Sequence, residues 1–105
     1  MNQGRQGDTF YIKQTSIPKE YNKQSLDNII AVGEASGHKH RLVNGRLMRS
    51  EQTLEPLVVG FIETTKESKI VHDEHPEIKL DDNSIYKVKR QREFDKNTQF
   101  RLVRD

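Results

Sequence analysis

A chain of 105 residues is enough for one domain, which excludes a two-domain enzyme closing over a cleft. Hydrophobic residues make up 31% and charged residues 32%, so the core must be thin and drawn mostly from strands, with room for a second copy of the chain to complete it. The 18 basic and 16 acidic residues leave a net charge of +2, too small for the whole surface to attract nucleic acid or a membrane. The lack of cysteine excludes disulfides, thiolate ligands and cysteine nucleophiles.

The opening Met1-Asn2-Gln3-Gly4-Arg5 lacks the apolar stretch of a secretory signal, and no window approaches the length of a membrane span. The expectation is a soluble cytoplasmic protein with no membrane partner. Apolar residues almost never recur at helical spacing, whereas short β-branched and aromatic runs recur between turn signals. The pattern predicts an all-β domain spanning residues 1–105, a small barrel or sandwich of about eight short antiparallel strands.

The first strand is expected at Thr9-Phe10-Tyr11-Ile12-Lys13, entered through Gly7-Asp8 and stopped by Pro18. Lys19 to Asn28 reads as a surface connection holding at most one helical turn, with Tyr21 and Leu26 to bury. Ile29-Ile30-Ala31-Val32 is apolar enough for a strand covered on both faces, followed by a bend between Gly33 and Gly37. Asn44-Gly45 tolerates the positive φ of a two-residue turn, so His40 to Val43 and Arg46 to Arg49 are predicted to form a hairpin. Leu57 to Ile62 is a central strand, Thr64 to Ser68 a turn, and Lys69 to His72 the returning strand. Ile78 and Leu80 are expected to pair with Ile85, Tyr86 and Val88 across the turn at Asp81 to Ser84. Phe100 to Arg104 closes the domain.

All four histidines fall into two tight pairs, His38-Lys39-His40 and His72-Asp73-Glu74-His75. Residues two apart on a strand project to one face roughly 6 to 7 Å apart, so His38 and His40 can grip one ion. His72 and His75 can share it only if the backbone turns between them, which Pro76 favours. If the pairs meet, they form a divalent metal site, zinc first, with Glu34, Glu74 or Asp73 as an oxygen ligand or an acceptor behind an imidazole. With an open coordination position for water and Glu74 or Glu34 as catalytic base, such a site would hydrolyse a small-molecule substrate. The plainer readings are solvated loop histidines, or an ion that only staples a thin core.

From Tyr86 to Asp105 seven basic residues face three acidic ones, with Tyr86, Phe94 and Phe100 interleaved. Lys87, Lys89, Arg90 and Arg92 could therefore track the phosphates of a single-stranded nucleic acid while an aromatic ring stacks on a base. Strand alternation favours a simpler account, in which Lys87, Lys89 and Gln91 form the wet face of an edge strand. A non-catalytic adaptor is the remaining class. Nothing in the chain supports a phosphate-cradling glycine loop, a G-x-S-x-G elbow or an H-E-x-x-H helix.

The segments Gly33-Glu34-Ala35-Ser36-Gly37-His38-Lys39-His40, His72-Asp73-Glu74-His75 and Arg90-Gln91-Arg92-Glu93-Phe94 carry a resemblance. The chain resembles a group of small uncharacterised bacterial and phage proteins sharing G-E-x-x-G-H-x-H, H-x-E-H and R-Q-R-E-[FY] patterns. That resemblance implies a compact stand-alone domain and supplies no reaction. A looser likeness to the cupin barrel rests on His38-x-His40 and a later histidine. It is incomplete, because Leu42 to Ser50 contains no acid, and it assigns no chemistry.

Overall fold

The β-branched and aromatic runs do form strands, as side chains that fit a pleated, half-buried surface should. The computed structural model describes residues 2–32, 37–52, 55–94 and 100–102. In chain order its strands are β1 Gln3–Gln6, β2 Thr9–Gln14, β3 Lys23–Gln24, β4 Ile29–Val32, β5 Lys39–Arg49, β6 Val58–Val71, β7 Ile78–Lys79, β8 Ile85–Arg90, β9 Arg92–Phe94 and β10 Phe100–Leu102. The first eight form one antiparallel sheet in the order β1-β2-β8-β6-β5-β3, with β4 also on β5 and β7 also on β6; β9 and β10 pair with each other. The domain is all-β, and its main sheet is not closed into a barrel. No helix among the described residues is long and apolar enough to cross a membrane.

β1 and β6 are three places apart in that order, yet the Gln6 side-chain amide donates to the carbonyls of Ile70 at 3.1 Å and Pro76 at 3.0 Å. The sheet therefore coils until its β1 corner lies over the β6–β7 corner, and the core fills the concave side. Tyr11, Ile30, Leu42, Leu47, Ile62, Ile70, Tyr86 and Val88 are buried there together. Tyr11 and Tyr86 are fully buried with their hydroxyls satisfied, by Thr9 Oγ1 at 2.9 Å and by the Asp81 backbone N–H at 3.1 Å. Burial pushes the Tyr11 hydroxyl well above its ordinary pKa.

The Asn44-Gly45 pair does not make a hairpin. β5 runs straight through it as one 11-residue strand, and the positive φ angles of Asn44 (59°) and Gly45 (154°) build a bulge against β6 instead. The reason is side-chain parity. His40 and Leu42 are buried on even positions and Leu47 on an odd one, and only an irregularity between them puts all three on the core face. Ser68 Oγ donates to the Asn44 carbonyl, Asn44 Nδ2 donates to the Glu67 carbonyl, and a Cβ on Gly45 would come within 3.0 Å of the Glu63 carbonyl oxygen.

Residues 64–68 likewise do not turn the chain back. β6 continues in one direction from Val58 to Val71, and Val43 faces Lys69 while Gly45 faces Thr64, so the intervening residues bow out of the ladder with Glu67 at φ 56°. Nor do β7 and β8 pair with each other. Both lie on β6, β8 against Val58 to Glu63 and β7 against Lys69 and Ile70. The long β6 offers more ladder than any local hairpin, and that pairing wins. Among the described residues β4 pairs only with β5, leaving Val32 exposed rather than covered on both faces, and Leu26 is fully exposed while Tyr21 packs edge-on against Phe61. Residues 19–28 form a turn and the short β3, without a helical turn.

Two outcomes follow from this packing. A Cβ at Gly60 would stand 2.4 Å from the Met48 carbonyl oxygen. Gly60→Ala should cost about 1–3 kcal/mol of stability in urea denaturation, the usual penalty for overpacking. In the turn before β8, Lys13 Nζ donates to Asp81 at 2.8 Å and holds its carboxyl at about 2. A depressed carboxyl stabilises the fold above its unfolded value of 3.8 and loses that contribution as pH falls towards about 2. Lys13→Met should therefore flatten the stability curve across that window, read from acid titrations of the two proteins.

Candidate functional site

β5 begins at Lys39, so His40 enters the sheet with its side chain on the core face, and His38 stands just before it. β6 ends at Val71, and the chain then bends through His72 to Pro76 before β7. Arg41 in β5 is opposite Val71 in β6, so the start of one strand and the end of the other bring the two histidine pairs together. The ring centroids of His40 and His72 lie 4.3 Å apart, those of His72 and His75 4.5 Å, of His38 and His72 5.7 Å, and of His40 and His75 6.3 Å. Four imidazoles from two distant segments thus occupy one small volume.

Their hydrogen bonds divide them. His72 Nδ1 accepts the backbone N–H groups of Glu74 at 3.0 Å and His75 at 3.2 Å, which makes the turn that the spacing of this pair requires. A neutral His72 then carries its proton on Nε2. His40 has no solvent exposure, and its Nδ1 lies 2.8 Å from Gln6 Oε1. Because the Gln6 amide nitrogen is committed to two carbonyls, its oxygen must face the ring, so Nδ1 of His40 is the donor. His38 Nδ1 is 3.3 Å from Glu74 Oε1 at the more exposed rim. His75 Nε2 is buried without a hydrogen-bond partner. As these side chains now stand, no three histidine, aspartate or glutamate residues among those described are arranged to ligate one ion.

Two residues of this site carry no signal in the sequence. Asp8, in the Gly7-Asp8 turn of the β1–β2 hairpin, has no solvent exposure; its Oδ1 lies 3.4 Å from His40 Nε2, and its Oδ2 accepts Arg90 Nε at 3.1 Å and Nη2 at 2.8 Å. Gly7 supplies the positive φ (56°) that the first central position of such a turn needs. Gln6 is the other, fully committed to His40 and the β6–β7 corner. Each lies at least 30 residues from any histidine, so only the coiled sheet unites them.

Glu34 lies outside the described residues, while Glu74 is beside His38 and Asp73 is exposed. A cleft of about 320 Å³ lined by Gly37, Lys39, Arg41, Val71, His72 and Asp73 opens beside His72. In the basic stripe, Arg90 is bound to Asp8, Lys87 Nζ is 3.5 Å from Glu55, and Tyr86 is buried rather than presented for stacking. Lys89 remains half-buried on the same side of β8 as Lys87; the side chains of Arg92, Phe94 and Phe100 lie outside what is described.

These features define an all-β domain with one large sheet and, at its coiled corner, an imidazole–carboxylate cluster buried at Asp8 and His40. Residues 5–91, which hold the whole cluster, match the family described as Domain of unknown function (DUF8820), and the chain belongs to that family. No curated protein and no solved structure matches it.

The Asp8–Arg90 pair yields a stability test. Removing the guanidinium leaves a fully buried carboxylate without its two-point partner, so Arg90→Ala should destabilise the domain by about 3 kcal/mol or more, measured by urea denaturation.

Proposed function

We propose that this domain binds one divalent metal ion, zinc first, at the cluster formed by His38, His40, His72 and His75. The observation that carries the reading is the meeting of the two pairs. Imidazoles that share an ion through bonds of about 2.0–2.1 Å place their ring centroids on the order of 5 Å apart. The recorded separations run from 4.3 to 6.3 Å.

The tautomers support a division of labour. With Nδ1 donating to Gln6, a neutral His40 turns its Nε2 lone pair towards the cluster, and such an acceptor behind an imidazole is the usual companion of a metal-binding histidine; Glu74 Oε1 stands 3.3 Å from His38 Nδ1. His75 adds a buried nitrogen without a partner. His72, bonded to the loop N–H groups, holds that loop in place and must turn its ring to ligate. Binding therefore needs side-chain rotation rather than any change in the sheet. An ion joining the start of β5 to the β6–β7 loop also adds folding free energy to a domain with a thin core. Should it leave a position for water, the ion would supply Lewis acidity, and Glu74, beside His38, would take the proton.

Purified without added metal, the chain should carry about one ion, most of it zinc by elemental analysis. His40→Ala should abolish tight binding, whereas His72→Gln should weaken it by about tenfold to a hundredfold, as expected for a positioning group. Uptake should fall below about pH 6, where imidazoles protonate and release the ion. A wild-type protein that takes up no divalent ion in equilibrium dialysis would refute the reading.

A further inference from the structure

We infer that Asp8 is a ligand of the ion, through Oδ1, so that the centre is a mixed imidazole–carboxylate site for a first-row divalent metal. This rests on the ion binding proposed above and adds a residue that neither histidine pair contains.

Asp8 has no solvent exposure, and its two oxygens are treated differently. Oδ2 takes both contacts from Arg90, while Oδ1 is buried and accepts no hydrogen bond. A buried carboxylate oxygen without a donor is costly, and such an atom persists where a cation completes it. His40 Nε2 faces it at 3.4 Å. That distance is too long for a charge-assisted N–H···O bond, which closes to about 2.7–2.9 Å. It equals the edge of a tetrahedral shell whose bonds measure about 2.0–2.1 Å, which is about 3.4 Å.

The polarity of His40 sharpens the point. Gln6 is locked by its two carbonyl bonds, so it forces the proton of a neutral His40 onto Nδ1 and leaves the lone pair of Nε2 facing the Asp8 oxygen. Two lone pairs at this separation repel unless a proton on Nε2 or a metal ion lies between them. Arg90 offsets the charge of the carboxylate, so the imidazole side of the site need not do so alone. A carboxylate oxygen beside nitrogen donors also widens the choice of metal from zinc towards cobalt, iron and manganese.

Cobalt(II), whose visible ligand-field spectrum reports its donors, provides the test. Wild-type protein should bind one Co(II), and Asp8→Asn should raise the dissociation constant about a hundredfold and change the spectrum, a loss at or beyond the upper end for a supporting residue. Equal affinity and an unchanged spectrum in Asp8→Asn would overturn the inference and make Asp8 merely the counter-ion of a protonated His40, leaving the histidine site intact. Wild-type protein that binds neither Co(II) nor Zn(II) would remove both proposals together. If Asp8→Asn does not fold, NMR of Co(II)-loaded wild type decides. Strongly hyperfine-shifted Asp8 β protons support ligation, and β protons near their diamagnetic positions exclude it.

Discussion

Asp8, its carboxylate fully enclosed at the tip of the first hairpin, ties that hairpin to two other parts of the chain. Arg90 from the end of β8 grips one oxygen, His40 from the start of β5 faces the other, and the Asp8 backbone carbonyl accepts the Gln91 N–H at 2.8 Å. Burying a charge in this way costs several kcal/mol in desolvation, repaid only if its partners are well placed. The sheet meets that condition by coiling, because only then do β1, β5 and β8 present these groups to a single point. Gln6 completes the junction by spanning from β1 to the β6–β7 corner while orienting His40.

Polar groups therefore do at this corner what apolar packing does elsewhere. The concave face is filled by Tyr11, Leu47, Ile62, Ile70, Tyr86 and Val88, with little apolar surface left to extend it. At the corner the interior is continued by a network of an amide, a carboxylate, a guanidinium and four imidazoles. Such a network specifies one arrangement strongly, since each member left without a partner is penalised in a low-dielectric setting. It also concentrates donor atoms of defined polarity, which is the physical basis for reading the corner as a binding site rather than as core alone.

Much of this was legible beforehand. The β-branched and aromatic runs marked β2, β8 and the two ends of β6, and the pairing of all four histidines pointed to the segments that meet. Where local signals misled, long-range pairing overruled them. Asn44-Gly45 has the chemistry of a hairpin turn, yet it serves as a bulge because Leu42 and Leu47 must face the same core. Residues 64–68 and 81–84 look like hairpin turns as well, but the first lie within β6, whose two halves both pair with β5, and the second join β7 and β8, which both pair with β6. Arg90 read as one charge in a basic stripe, and its charge is matched by an aspartate 82 positions away.

The amino-acid order by itself determined the class of fold, the approximate position of most strands and the identity of the candidate nitrogen donors. Those properties arise from side-chain periodicity and residue chemistry within a few positions. The coiling of the sheet, the parity shift in β5 and the entry of Gln6 and Asp8 into the histidine cluster were decided only in three dimensions. Each depends on which distant strands share hydrogen bonds, and on which buried charge must find its partner once they do.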